Sequence, residues 1–393
     1  MLGFRRTLVL YGMDWRNPSR ADLRAALVQA RERTLALFAA YESADALRVP
    51  FRAELNPPLW ELGHIGWFAD AWIARNPARA RGMACPSRPA RTAARRANAD
   101  ALYDSSQVPH ATRWSLPLPT AAATRADLAA SLTDTLAVLD AAEPTGHALY
   151  LFWLVLMHED MHAEAAVYMA RALGVPLPAG HAAAGGLRGL PGADTALHLP
   201  GRPWHLGSAP GEGFAFDNEH GVLAVTVPTF EIDAAAVTWG RYWPFVQADG
   251  YTDPRWWCAE GWAWRERQGA GALPPEPADA SQAADRLCAY EAQAWCRWAG
   301  RRLPSEAEWE CAALTQPGFV WGAAWEWTAS VFAPFPGFAP HPYADYSAPW
   351  FGTRRVLRGA CPATSPRLAH AKYRNFFTPD RRDIFAGFRS CAA

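Results

Sequence analysis

Residues 147–173 read HALYLFWLVLMHEDMHAEAAVYMARAL. Nothing in this run breaks a helix, and its apolar residues occupy most faces, so it is expected to lie inside a bundle rather than on a surface. Gly174 and Pro176 close it. Its most apolar part, residues 148–157, falls well short of the roughly 18 residues that cross a bilayer and runs directly into His158, Glu159 and Asp160.

A helix buried on most faces needs partners, and the chain before it supplies three. Residues 20–44 follow Ser19, an N-cap type, and carry Leu23, Ala26, Leu27, Ala30, Leu35 and Leu37 at mixed three- and four-residue spacing. Residues 58–75 are bracketed by Pro57-Pro58 and Asn76-Pro77. Residues 124–142 start at Thr124 and end before Pro144. Four helices with one long connection, residues 76–123, make a bundle with a crossover loop. A connection of that length is expected to serve a site.

From about residue 180 the punctuation becomes Gly, Pro and aromatic, with short strand-like runs at 222–227 and 230–233 and one clear helix at 281–299, capped by Ser281 and stopped by Gly300. Ten of the 20 tryptophans fall between Trp204 and Trp309, which marks the second half as a different kind of structure. The Ala- and Gly-rich stretch 182–192 reads as the linker. The expected division is a helical bundle over 1–180 and an irregular α+β domain over 181–393.

Composition narrows the function. Lys+Arg and Asp+Glu both number 38, giving zero formal net charge, which argues against a nucleic-acid or membrane-surface partner. The cysteines, Cys85, Cys258, Cys288, Cys296, Cys311, Cys361 and Cys391, are odd in number and lack CxxC spacing, so neither a zinc ribbon nor a disulfide scaffold fits. The first residues, with Arg5 and Arg6 ahead of a short apolar run, lose the signal-peptide pattern at Asp14 and Arg16, and a cytoplasmic location is expected.

The chemistry lies in three histidines. His158 and His162, four apart on one helix, share a face, and His64 sits among apolar neighbours in the second helix. Three imidazoles from two helices of one bundle can cap one face of a metal ion. His158-Glu159-Asp160-Met161-His162 also matches the H-E-x-x-H expression of zinc peptidases, in which the glutamate would be the general base. Ligand type alone does not separate zinc from iron.

Here the chain resembles a known family. The residues that carry the likeness are Leu62-Gly63-His64-Ile65 and the stretch from His158 to Glu164 in the first half. In the second they are the RLPSEAEWE stretch at 302–310, WEWTAS at 325–330, Arg374-Asn375-Phe376-Phe377 and Gly387-Phe388-Arg389. Their order resembles that of the non-haem iron sulfoxide and selenoxide synthases of ergothioneine, ovothiol and selenoneine biosynthesis. In these a DinB-like four-helix bundle precedes a domain like the formylglycine-generating enzyme, itself related to C-type lectins. The resemblance implies Fe(II) on His64, His158 and His162, with O2 as co-substrate. The other substrates would be hercynine and a sulfur or selenium donor, joined at the imidazole carbon. It implies a substrate wall of Trp67, Arg113, Met161, Arg374, Asn375, Phe376 and Phe377, and Tyr373 and Tyr343, with Tyr346 beside them, as candidate proton or electron donors.

Two positions depart from the mycobacterial-type members of that family: Met161 stands where they have a glutamine, and Phe377 where they have an acid used for gamma-glutamylcysteine. Both changes remove polar groups. With the loop 103–114, which resembles that of selenoneine synthases, they favour a selenosugar donor, with gamma-glutamylcysteine or cysteine as the alternative. The alternative from another class is a non-catalytic metal- or carbohydrate-binding module. The RLPSEAEWE and WEWT stretches are expected to be framework.

Overall fold

The computed structural model describes residues 15–181, 195–209 and 211–393; the expected linker 182–192 and the leader-like start of the chain lie outside them. The bundle is built from α1 (Arg20–Ser43), α2 (Pro58–Ala69), a short α3 (Ala99–Tyr103), α4 (Ala121–Asp140) and α5 (Gly146–Leu173). Ser19 caps α1 in a capping box with Asp22, and Thr145 caps α5, which Gly174 ends in the left-handed region at φ 70°. In α5 the stretch 148–160 is buried on all faces. Each large apolar side chain so buried contributes roughly 1.5–3 kcal/mol, which holds this helix at the bundle centre.

One expected boundary shifts, and one helix keeps its expected span but changes pitch at its end. Helix α4 begins at Ala121 with Thr120 as its cap, accepting from the Ala123 N–H, while Thr124 lies inside the first turn. Helix α2 runs on as a single π turn, Asp70–Ala74. The expected crossover loop carries α3, and Arg75 at the end of the π turn ties it down with a bidentate pair to Asp100 (2.8 Å twice).

Among the described residues the second half contains ten strands: β1 (Ala196–Leu199), β2 (Arg202–Leu206), β3 (Leu223–Val227), β4 (Phe230–Asp233), β5 (Arg301–Arg302), β6 (Ala324–Val331), β7 (Arg355–Ala360), β8 (Asn375–Phe377), β9 (Ala386–Gly387) and β10 (Cys391–Ala392). They form sheets in the orders β1-β4-β10-β5, β2-β3 and β8-β7-β6-β9, antiparallel except β6 against β9. Helices α6 (Trp239–Gln247), α7 (Ala259–Gln268), α8 (Ala289–Trp298) and α9 (Glu306–Thr315) pack around them.

The helix expected over 281–299 is shorter, because Ser281 turns back on Asp279 and Arg286 takes a positive φ of 58°. Helix α8 starts instead after Cys288, where Glu291 accepts from the Cys288 N–H at 2.8 Å. The RLPSEAEWE stretch is framework, as expected. Glu306, Glu308 and Glu310, along α9, each hold an arginine: Arg374, Arg302 and Arg358. Trp309 donates to Glu326 of β6, which also receives Arg389. Among the described residues, no helix is long and apolar enough to cross a membrane.

Candidate metal centre and substrate cleft

His158 and His162 project from one face of α5 toward His64 on α2. The Nε2 atom of His158 lies 3.2 Å from that of His64 and 3.1 Å from that of His162. Each remaining ring nitrogen that is anchored has an acceptor. The Nδ1–H of His64 donates to the Tyr103 carbonyl at 2.8 Å, and that of His162 donates to the Glu61 carboxylate. Tyr103 ends α3, so its carbonyl has no helical partner, and Gly63 makes room for its ring: a Cβ there would lie 2.3 Å from the Tyr103 Cζ. Trp60 Nε1 donates to the neighbouring Leu102 carbonyl at 2.7 Å, and the indole stacks on His64. The His158 ring stacks on Phe68 at 3.6 Å.

This arrangement fits a metal. With both anchored rings protonated on Nδ1, their Nε2 lone pairs face inward, and His158 could donate one proton to one of them, never to both. Two nitrogens bound at right angles, each roughly 2.1 Å from an ion, lie about 3 Å apart, as these do. Burial first, then His162, brings the His64 imidazole down to about 3, and burial likewise holds His158 well below its ordinary range. These two imidazoles are therefore neutral at neutral pH. Burial opposes ionisation of Glu61, but His162, then His64 and Asn56, outweigh it and bring the carboxyl down to about 2. Glu61 is thus an anionic support of His162, a common arrangement behind metal-bound imidazoles.

The histidines open into a cleft of about 760 Å³ between bundle and second half. Met161, Arg113, Tyr343, Tyr346, Tyr373, Asn375, Phe376 and Phe377 line it. The Tyr346 and Tyr373 hydroxyls lie 3.2 Å apart and both reach the Met161 sulfur, at 3.7 and 3.4 Å. Tyr343 stands edge-on to Phe68, 5.0 Å between ring centres. Burial raises all three phenols above their ordinary value, so they stay protonated. Phe376 stacks on Phe332, and Phe377 takes Arg381 over its face at 5.0 Å.

Two expected substrate contacts do not reach the cleft. The Arg374 guanidinium is buried between Phe332 and Phe335, bidentate to Glu306 (2.8 and 3.0 Å) and donating to the carbonyls of Asn218 and Ala333. Trp67 lies behind His64 and donates to Asp100 at 2.7 Å. Nor is Glu159 a base for the metal site: it is buried against Arg31 of α1 at 2.8 Å, which removes the peptidase role. Missed in the sequence were Glu61, Trp60 and Asn56. Trp60 was legible, being one helical turn before His64 on the same face.

Fold and site together define a helical bundle with a three-histidine cluster that could hold a metal ion, closed by a second, sheet-containing domain. Residues 26–166 match the DinB superfamily, and residues 191–323 match the sulfatase-modifying factor enzyme 1-like domain. Among curated proteins, a hercynine oxygenase of Mycolicibacterium smegmatis is 32% identical over 94% of this chain and 98% of its own. That of Mycobacterium tuberculosis is 31% identical over 92% and 96%. A formylglycine-generating enzyme of Streptomyces coelicolor is 29% identical over 50% of this chain and 88% of its own. The chain belongs to the hercynine oxygenase family, a family of oxidative enzymes.

Proposed function

We propose that this enzyme joins the imidazole carbon of hercynine to selenium, with a selenosugar as donor, in the formation of selenoneine. In this reading residues 1–180 hold Fe(II) on His64, His158 and His162, and residues 181–393 complete the substrate site. Fe(II) bound there would gather O2 and the selenol at one point and lower the selenol's proton affinity. The protein's own groups do the rest. Phe376 and Phe377 offer aromatic faces to a trimethylammonium group, and the protonated phenols of Tyr373, Tyr346 and Tyr343 can hold or deliver a proton beside the reacting atoms.

The choice of donor rests on charge. Among the described residues, the cleft wall carries Glu54, Glu61, Glu164 and Asp345 against Arg113 and Arg381. Both arginines are engaged, Arg113 by Asn56 and the Val108 carbonyl, Arg381 by Asp383. Gamma-glutamylcysteine brings two carboxylates, and placing them among these acids, with Arg113 the one cleft arginine not paired to a carboxylate among the described residues, would cost several kcal/mol. A neutral sugar asks for hydroxyl partners and an apolar wall, which Ser105, Ser106, Asn375 and the Trp350 indole supply.

The identity with hercynine oxygenases supports hercynine as the imidazole substrate and leaves a thiol as the competing donor. The test is competition under one hercynine and O2 supply, with products followed by mass spectrometry. A higher specificity constant for the 1-selenosugar is expected. A higher one for gamma-glutamylcysteine would make this a sulfur-joining enzyme.

A further inference from the structure

Arg113 is connected to two of the three histidines by two separate routes. Its guanidinium lies 4.0 Å over the Trp60 indole, whose ring stacks on His64 at 4.7 Å and 11°. Its Nη1 donates at 2.7 Å to Asn56 Oδ1, and the same Asn56 donates through Nδ2 to the Glu61 carboxylate that receives the His162 Nδ1–H. The remaining donors, Nε and Nη2, go to the Val108 carbonyl. Arg113 sits in the last turn of a 3₁₀ segment, His110–Trp114, in the crossover loop. The loop is therefore joined to two of the three ligands, one by stacking and one by a hydrogen-bond chain.

We propose that Arg113 is a positioning residue of the metal centre, fixing the His64 and His162 rings through Trp60 and through Asn56 and Glu61. The stack sets the plane of His64. The chain sets the direction of the Glu61 carboxylate, and hence the axis along which the His162 Nε2 lone pair points. An arginine suits this task because its planar fork stacks and donates at once, which a lysine does not do. Outer partners of ligating histidines typically change metal affinity 10- to 100-fold when removed.

The inference rests on reading the three histidines as ligands of one ion, and the test separates the two ideas. The full chain is titrated with Fe(II) anaerobically, with Co(II) absorption as a second, spectroscopic readout. The variants are Arg113→Met, Arg113→Lys, Asn56→Ala and the double Arg113→Met/Asn56→Ala, with Thr112→Ala on the same turn as a control. Arg113→Met and Asn56→Ala are each expected to weaken Fe(II) binding by roughly tenfold and to shift the Co(II) bands. The double variant should weaken it by clearly less than the product of the two, because both act on His162 through one chain. Arg113→Lys should restore little, and Thr112→Ala should bind as the parent does.

Parent protein that binds no stoichiometric Fe(II) would overturn the metal-site reading itself. Parent-like metal affinity and spectra in the variants, with only a raised KM for either substrate, would show instead that Arg113 is a substrate cation. Fully additive losses would show that Arg113 and Asn56 do not act through one chain.

Discussion

Asp160 lies between His158 and His162 in sequence, yet its carboxylate points out of the bundle to Arg367 of the second half. The pair is bidentate, Nε to Oδ2 at 2.7 Å and Nη2 to Oδ1 at 2.9 Å, with the aspartate side chain fully buried and the arginine side chain 9% exposed. Two unit charges about 4 Å apart in surroundings of effective dielectric 20 attract by about 4 kcal/mol. Removing one partner of a buried pair costs roughly 3–5 kcal/mol, because the other charge is left behind. Arg367→Ala should therefore destabilise strongly, while Asp160→Asn/Arg367→Ala, with no charge left to strand, should recover about half the loss. The assay is a double-mutant cycle on urea unfolding followed by tryptophan fluorescence, with Fe(II) binding and KM for hercynine measured on the same variants. Since the pair sets how the second half seats on the histidine helix, KM should rise in Arg367→Ala while Fe(II) binding stays near parental. An Arg367→Ala variant within 0.5 kcal/mol of the parent, or strictly additive singles, would refute this reasoning.

Glu159→Gln should keep Fe(II) binding near parental while losing roughly 1–3 kcal/mol of stability through the weakened contact with the buried Arg31, read by urea unfolding; loss of metal with unchanged stability would return Glu159 to the metal site. Arg75 chiefly, with Trp67 adding a hydrogen bond, depresses the Asp100 carboxyl to about 2. Its stabilising effect is therefore complete above the ordinary carboxylate range near pH 4 and fades as pH falls toward 2. Asp100→Asn should flatten that part of the urea midpoint against pH, and an unchanged slope would contradict it.

The parts read from sequence are those set by local spacing. The 147–173 helix was legible from its unbroken apolar run and its Gly174 stop, and β4 from four residues between turns. The histidines stood out because an i,i+4 pair shares a face whatever surrounds it. What escaped notice depends on partners far along the chain. Arg374 read as a substrate cation because nothing near it announces Glu306, which takes it from 68 residues upstream. Asn56 and Glu61 carry no motif of their own; their meaning comes from His162, more than a hundred residues later. The start of α8 was misplaced because cysteine is an uncommon cap, so Ser281 attracted the assignment that belongs to Cys288.

The turn from His158 to Glu164 has consequences for how this protein can change. Glu159 answers to Arg31, Asp160 to Arg367, Met161 to two tyrosines, His162 to Glu61 and Glu164 to Trp325, while Ala163 is packed. Almost any single replacement there strands a partner in a different part of the molecule, so the turn resists stepwise drift. Engineering toward a new donor has freer ground at the cleft rim, around 53–54, 105–106 and 349–350, where side chains face the ligand space and fewer neighbours must move with them.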